Sequence, residues 1–268
     1  MIDSKVFNEL MNRGIITQVG LNPENYKDIA DLQRHGLATN IGSVEVYEDV
    51  ISELVNIEEV IAKFLADIKA GGVVAVPMDL SLTAPIIIEN DVTIDLNGYT
   101  LTNTPWDEDG KPNAYMFWVK AGKLTINGEG SIAVPDAAYS MAVWANGGDV
   151  EINGGTYTNG GDGCDLIYAS NKGTIVINNG TFKANGPYTG KEPATGNLYS
   201  ALNIKNANKD TCTISVKGGK FYKFDPANNL SESPAMNFCA EGYESVADGD
   251  WFVVRESSKD IVVDDNAE

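Results

Sequence analysis

Hydrophobic and polar residues alternate in five short segments of the chain, and each segment runs into a glycine. The segments are Val92-Thr-Ile-Asp-Leu-Asn-Gly98, Leu124-Thr-Ile-Asn-Gly-Glu-Gly130, Val150-Glu-Ile-Asn-Gly-Gly155, Ile175-Val-Ile-Asn-Asn-Gly180 and Ile214-Ser-Val-Lys-Gly-Gly219. Alternation with a period of two is typical of half-buried β-strands. The interval is 25 residues from Gly130 to Gly155 and again from Gly155 to Gly180. The pattern predicts a repeat of that length, with insertions in the first and last intervals.

Two further sets of apolar residues recur with the repeat. Two positions after four of the glycines stand Ile132, Tyr157, Phe182 and Phe221. A second alternating segment recurs with the repeat strands, and its members are Tyr115/Phe117/Val119, Met141/Val143, Leu166/Tyr168, Leu202/Ile204 and Met236/Phe238. Strands this close together leave no room for crossover helices, so each must pair with the same segment one repeat away. The sequence therefore predicts a mainly β, parallel solenoid with the first set in one inward stack.

Asparagines mark one turn of this repeat. Asn127, Asn153 and Asn178 follow the last inward residue of their strands, and Asn97 stands near the same turn in the first copy. Asparagine tolerates left-handed turns and bonds neighbouring amides. We therefore expect an asparagine ladder at one corner of the fold.

The chain before the repeats is predicted to be helical. Ser4 and Asn22 are candidate N-caps of two short helices that end before Gly14 and Gly36. In a third, longer helix, apolar residues recur at spacings of three and four from Tyr47 onward. The seam of this helix consists of Val50, Leu54, Ile57, Ile61, Phe64 and Ile68.

Two interpretations of this long helix remain open. Val46, Ile51, Val60 and Leu65 widen its apolar stripe beyond a two-stranded seam. The helix therefore either lies on the β body as a cap or packs in a multi-stranded bundle with copies of itself. A homotrimer is the hypothesis that follows from the bundle.

Composition divides the chain into a helical head at 1–70, a β body at 71–255 and an acidic C-terminal tail at 256–268. The 268 residues include 19 Lys and Arg against 38 Asp and Glu, a net charge of −19. That sign opposes binding to phosphate backbones, so we expect no nucleic-acid partner. The sequence has no apolar run of ~18 residues and no signal-peptide pattern at its start, so no membrane insertion is expected.

Both ends of the repeat region carry a resemblance to a known family. The predicted long helix leads into Ala70-Gly-Gly-Val-Val-Ala-Val-Pro77 and then Val92-Thr-Ile-Asp-Leu-Asn-Gly-Tyr-Thr-Leu101, and Ala240 to Val254 looks like a closing hairpin. Residues from about 55 to 255 thus resemble the right-handed parallel β-helix of the pectin-lyase-like superfamily. With its helical head, the chain looks most like phage virion fibre or capsid-decorating (head fibre) proteins. That likeness implies a structural or host-attachment protein on the virion exterior, joined to other virion proteins through its head.

Enzymes of this fold provide the contrasting expectation. Their lyases, as the resemblance implies, use calcium-binding acidic groups and commonly an arginine, but Arg13, Arg34 and Arg255 all lie outside the repeats. Their hydrolases use paired carboxylates, for which Asp162 and Asp165 are the candidates, and a downstream histidine that is missing here. We interpret both aspartates as turn residues. We expect no catalytic residues, no metal and no cofactor.

The two insertions are the places where recognition is expected, because solenoid insertions form loops on one face. They cover residues 102–113 and 184–199, and they contain the candidate glycan or partner contacts Trp106, Tyr188 and Tyr199. Three functional hypotheses follow, in this order of preference. They are a non-enzymatic virion structural protein, a carbohydrate-binding adhesin that contacts host surface glycans, and a glycan-degrading enzyme.

Overall fold

The computed structural model describes residues 4–12, 44–108, 110–161, 164–185, 200–228 and 235–258. The chain divides into two units, Met1–Lys63 and Phe64–Glu268. Two α-helices occur in the described residues, α1 at Ser4–Asn12 and α2 at Val44–Ala70. The first and third predicted helices are therefore confirmed, and the second lies outside the described residues.

The described residues after α2 are mainly β. Their twenty strands are β1 Gly72–Ala75, β2 Leu80–Leu82, β3 Ile86–Ile88, β4 Val92–Asp95, β5 Thr100–Asn103, β6 Trp106–Glu108, β7 Lys111–Val119, β8 Lys123–Asn127, β9 Ser131–Val134, β10 Tyr139–Asn146, β11 Asp149–Ile152, β12 Thr156–Asn159, β13 Ile167–Ser170, β14 Thr174–Ile177, β15 Thr181–Lys183, β16 Leu202–Ile204, β17 Thr213–Val216, β18 Gly219–Tyr222, β19 Tyr243–Asp248 and β20 Trp251–Glu256. A short 3₁₀ helix lies at Asn206–Asn208.

The strands form three sheets that are mostly parallel. Sheet I has the order β1-β4-β8-β11-β14-β17, and all its pairs are parallel. Sheet II has the order β16-β13-β10-β7-β3, with β6 added as an antiparallel partner of β7. Sheet III has the order β19-β20-β18-β15-β12-β9-β5-β2, in which only the pairs made by β20 are antiparallel. This composition confirms the prediction of a mainly β fold with parallel pairing.

From β1 to β18 the chain visits the sheets in a fixed order, sheet I, then III, then II, with β6 as the single addition. Strands one cycle apart pair in the register that the repeat predicts. Leu124 pairs with Val150, Val150 with Ile175, and Ile175 with Ile214. Buried residues of neighbouring cycles therefore align both where the interval is 25 residues and across the longer last interval.

The predicted inward stack is present on the buried face of sheet III. Ile132, Tyr157, Phe182 and Phe221 are successive register partners, and all four are 0% exposed. The ring centroids are 4.9 Å apart from Tyr157 to Phe182 and 4.8 Å apart from Phe182 to Phe221, with 9° between planes in both pairs. The Tyr157 hydroxyl donates to the Gly154 carbonyl at 2.9 Å. Burial raises the pKa of Tyr157 well above its usual range.

The predicted asparagine ladder is also confirmed. Asn153 Nδ2 donates to Asn127 Oδ1 at 2.8 Å, and Asn178 Nδ2 donates to Asn153 Oδ1 at 2.7 Å. In the first copy, Asp95 pairs in register with Asn127. Asn97 takes the left-handed turn beside it, with φ of 53°. The ladder satisfies half-buried amides of three successive turns of chain.

One predicted alternation is wrong by a residue. Val143 pairs with Ile167, not with Leu166, and Trp144 pairs with Tyr168, which is only half-buried. The Leu166 carbonyl accepts from both Ala142 and Val143 amides, at 2.9 and 3.3 Å. Two residues of β10 thus face one residue here, as in a β-bulge, so Leu166 and Ile167 are both buried.

The segment around Met236 and Phe238 departs from the pattern of the other four second segments. Around Met236 and Phe238 no strand of sheet II forms in the described residues. Instead the Val216 amide donates to the Phe238 carbonyl at 2.8 Å, and the Ala240 amide donates to Val216 at 2.9 Å. The segment therefore lies beside β17, the last strand of sheet I. The closing hairpin is confirmed as β19 and β20, which pair antiparallel and cover β18.

Candidate binding surfaces

The predicted seam of α2 is split between the two units. Val50 and Leu54 have side chains outside the described residues, Ile57 is 37% exposed and Ile61 is half-buried. Phe64 and Ile68 lie in the second unit and are both buried. The Asn90 side chain donates to the Lys69 carbonyl at 3.3 Å, which fixes the end of α2 to the loop before β4. The last two turns thus pack within the second unit, and Ile57 and Ile61 before them keep part of their surface exposed.

A row of large side chains lies on the outer face of sheet II. Ile87, Trp118, Trp144, Tyr168 and Asn203 are successive register partners on β3, β7, β10, β13 and β16. The residues on either side of the two tryptophans and of Tyr168 are fully buried, whereas these three are half-buried and Ile87 is 45% exposed. We call this row the outer tryptophan strip.

The flat faces of the outer tryptophan strip are largely used within the chain. Trp118 and Trp144 stack with centroids 5.0 Å apart and 2° between planes. Lys120 Nζ lies 3.9 Å from the Trp118 centroid, and Tyr115 contacts both indoles edge-on. Trp106, predicted as a ligand contact, is half-buried and packs against Tyr115 at 4.9 Å. The strip therefore presents ring edges and stabilises the sheet, and it offers little free ring face for stacking on a sugar.

A groove of about 850 Å³ runs along the corner where the chain passes from sheet I to sheet III. We call it the corner groove. Its lining comes from four successive turns and from the middle of β20, namely residues 128–130, 153–156, 179–181 and 218–220 with Val253 and Val254. At ~4.8 Å between neighbouring parallel strands, these four turns span about 14 Å. The groove is thus elongated across the strands.

Two glycines show why the corner stays open. A Cβ on Gly130 would lie 2.5 Å from the Tyr99 carbonyl oxygen, and a Cβ on Gly219 would lie 2.9 Å from the Gly180 oxygen. Both residues also have positive φ, 134° and 99°. Side chains are therefore excluded by the close approach of successive turns, and the space outside the backbone is left free.

Of the candidate catalytic carboxylates, only Asp165 is described. Its carboxylate accepts from Ser200 Oγ and, at 3.3 Å, from Asn203 Nδ2. These bonds tie the segment before β13 to Ser200 and to β16. Asp162 lies outside the described residues, as do Tyr188 and Tyr199 from the second insertion.

The outer face of sheet I carries an ion pair across two strands. Lys123 Nζ lies 2.5 Å from Glu151 Oε2, and Asn178 Nδ2 donates to Glu151 Oε1 at 3.1 Å. The hydrogen bond from Lys123 lowers the pKa of Glu151, and the same bond raises the pKa of Lys123. This pair connects β8 to β11 beside the asparagine ladder.

The three cysteines are free thiols in the structure. Cys212 is buried, and Cys164 and Cys239 are half-buried. Burial, with a smaller effect of Asp225, raises the pKa of Cys239 to about 11. This thiol is therefore protonated at neutral pH and a weak nucleophile.

Two features are absent from the described residues. They contain no cluster of three or more His, Cys, Asp or Glu side chains placed to hold a metal ion. Neither of the described helices has the length and apolar character of a membrane span. Comparison with protein-family models, curated proteins and solved structures gave no match. The functional argument therefore rests on the geometry of this chain.

Sequence reasoning missed both the outer tryptophan strip and the corner groove. Trp118 and Trp144 are 26 residues apart and stand next to the inward residues Phe117 and Val143. This spacing, close to the repeat length, indicates that the two tryptophans lie side by side on the outer face. The groove has a weaker signal, the glycines that end each repeat. Neither feature lies in the insertions where recognition was expected.

Proposed function

We propose that the three sheets are the faces of a right-handed parallel β-helix of the pectin-lyase-like type. The fixed visiting order of sheets I, III and II and the in-register pairing of successive cycles support this proposal. The hand follows from the strong preference of parallel β crossovers for right-handed connections. Such a body is a rigid rod whose outer surfaces are fixed relative to one another.

We further propose that the chain is a non-enzymatic structural and attachment protein on the exterior of a phage virion, as a head fibre or as a capsid or tail decoration. The observation that carries this proposal is the division of α2. Phe64 and Ile68 near its end are buried in the second unit, while Ile57, ahead of Lys63, is 37% exposed. An apolar helical segment next to a rigid body is suited to joining that body to other virion proteins. No nucleic acid, membrane or cofactor takes part in this proposal.

Immunogold electron microscopy tests the virion assignment. Antibodies raised against the purified full chain are applied to intact particles from the source culture. The proposal predicts gold label on the outside of heads or tails. Label confined to cell surfaces or to the soluble fraction would contradict it.

The homotrimer is part of the same proposal, with the seam ahead of Lys63 as its interface. Light scattering of the full chain is expected to give a trimer mass, and Ile61→Asp is expected to reduce it to the monomer because the new charge is desolvated at the seam. Val73→Asp, at a position 79% exposed on sheet I, is the matched control and retains the trimer. A monomer mass for the unchanged protein at tens of micromolar would contradict the trimer and favour the interpretation of α2 as a cap.

A carbohydrate-binding adhesin is the second candidate, because the corner groove is open, elongated and polar. A glycan-degrading lyase or hydrolase ranks below it. Incubation with acidic and neutral glycans, with and without Ca²⁺, followed by reducing-end and unsaturated-product assays, tests that ranking. Product formation that Asp165→Asn abolishes would contradict the non-enzymatic proposal.

A further inference from the structure

The corner groove has the size of a ligand site. Its 850 Å³ lies within the ~300–1,000 Å³ typical of pockets that bind small molecules. All of its lining residues belong to the described part of the second unit, and they come from four turns of chain plus β20. Val253 and Val254 pair with Lys220 and Gly219, so the antiparallel strand closes the groove at one end. The shape fits a chain molecule about 14 Å long that lies across the strands.

The polar groups of the groove favour an uncharged ligand rich in hydroxyls. Glu129 and Lys220 are its only charged lining residues, they lie at opposite ends, and their charges cancel. Thr156 and Thr181 place hydroxyl groups between them on adjacent strands of sheet III, with Asn179 beside Thr181. The rest of the lining is mostly glycine. A local net charge of zero contrasts with −19 for the whole chain, and it disfavours a cationic or polyanionic ligand.

The backbone of the groove is already bonded, which disfavours a peptide ligand. The amides of Thr156, Thr181 and Lys220 donate at 2.9 Å to the glycine carbonyls of the preceding turn. An added peptide strand needs a free edge of amides and carbonyls, and this corner does not offer one. The hydroxyls of Thr156 and Thr181 have no hydrogen-bond partner in the described residues. The groups of the groove that can form hydrogen bonds with a ligand are therefore side chains and not backbone amides.

We propose that the corner groove binds a linear, neutral glycan that lies along the four turns. Thr156 and Thr181 donate to and accept from sugar hydroxyls, Asn179 Nδ2 donates to them, and Lys220 contacts the sugar at the closed end. The glycines let the sugar rings approach the backbone. This inference rests on the attachment function proposed above and names the chemistry of its ligand.

Isothermal titration calorimetry of the full chain tests the proposal with defined probes. They are cellohexaose, maltohexaose and N-acetylchitohexaose, each compared with its disaccharide, together with hexagalacturonate and the peptide Gly-Ser-Gly-Ser-Gly-Ser. We expect at least one neutral hexasaccharide to bind at least about tenfold more tightly than its disaccharide, because the disaccharide spans only part of the groove.

Three variants connect the binding to the groove. Thr181→Tyr fills the groove and is expected to weaken hexasaccharide binding at least about tenfold. Thr181→Val removes one hydroxyl at nearly constant volume and is expected to weaken binding about two- to tenfold. Thr93→Tyr, on the outer face of sheet I, is the matched control and leaves the affinity unchanged. Circular dichroism and melting of each variant verify folding, and Thr156→Tyr replaces Thr181→Tyr if the latter does not fold.

Several results would overturn the proposal. They are the failure of all three neutral hexasaccharides to bind at millimolar concentration, and binding that the filled groove leaves unchanged. Tighter binding of hexagalacturonate or of the peptide, lost on filling the groove, would assign the site to another ligand class. Any of these results leaves the immunogold experiment intact, because that experiment locates the chain on the particle without reference to a glycan.

Discussion

Two aromatic stacks run across the strands of this protein, and they differ in what surrounds them. On the buried face of sheet III, Tyr157, Phe182 and Phe221 stack at 4.8–4.9 Å and are fully buried. On the outer face of sheet II, Trp118 and Trp144 stack at 5.0 Å and stay half-buried. The spacing is nearly the same because parallel pairing at ~4.8 Å sets it in both places.

The geometry of a stack therefore does not by itself indicate how much its rings contribute to the stability of the fold. An inner ring is enclosed by side chains of other strands, so its loss opens a cavity that the fold fills only partly. When an outer ring is removed, water fills the space that it occupied, so the loss of free energy of unfolding is smaller. We therefore expect the two stacks to differ in stability more than in geometry.

The largest expected effect is that of Phe182→Ala in the inner stack. The substitution removes a buried ring and leaves a cavity, so the free energy of unfolding is expected to fall by ~3–5 kcal/mol. Phe182→Leu keeps most of the volume and is expected to cost about 1–2 kcal/mol. Denaturant unfolding measures both. An unchanged midpoint for Phe182→Ala would place the side chain outside the core.

The outer stack is expected to contribute less. Trp144→Ala should lower the free energy of unfolding by about 1–2 kcal/mol, because the indole is half-buried and its Nε1 also donates to Ser170 Oγ at 2.9 Å. A double-mutant cycle with Trp118→Ala should give a coupling of about 0.5–1.5 kcal/mol. A loss as large as that of Phe182→Ala would remove the distinction between the two stacks.

The smallest expected effect is that of breaking the ion pair between Lys123 and Glu151. Glu151→Gln removes the partner of Lys123, and because both side chains are partly exposed we expect a loss of about 0.2–1 kcal/mol at pH 7. The folded-state pKa of Glu151 is lowered from 4.5. Its contribution is therefore complete above its unfolded pKa and is lost as the pH falls through the folded pKa.

Unfolding measured from pH 7 to pH 3 tests this expectation. The difference between the unchanged protein and Glu151→Gln should shrink as the solution becomes acidic. Thr93→Val, on the outer face of the same sheet, changes no titrating group and is the control, so it should show no such trend. A difference that grows toward low pH would contradict the direction of the Glu151 pKa shift.

The inner stack was predictable from sequence because its signal repeats. Phe182 and Tyr157 each stand two residues after a repeat glycine, and pairing between cycles must place such residues side by side. The asparagine ladder follows for the same reason. Their positions depend on local alternation and on the repeat length, both of which are visible along a single chain.

Other features were hidden because they depend on contacts between distant segments. The one-residue offset at Leu166 arises where two amides of β10 share one carbonyl, which alternation alone does not reveal. Phe238 lies beside the edge of β17 through the hydrogen bonds that Val216 makes across the sheet edge, a contact between segments more than twenty residues apart. The corner groove exists only where four turns lie side by side, so no segment taken alone indicates it.

Successive turns of the chain stack in register although the intervals between them along the sequence are unequal. Selective isotope labelling of phenylalanine and tyrosine, followed by nuclear Overhauser spectroscopy, tests it directly. Stacked turns give cross-peaks between the rings of Tyr157 and Phe182 and between those of Phe182 and Phe221. Both sets of cross-peaks disappear in Phe182→Leu, while the ring signals of Tyr157 and Phe221 remain. Sharp ring signals with no cross-peak between Phe182 and either neighbour would contradict the stacked register.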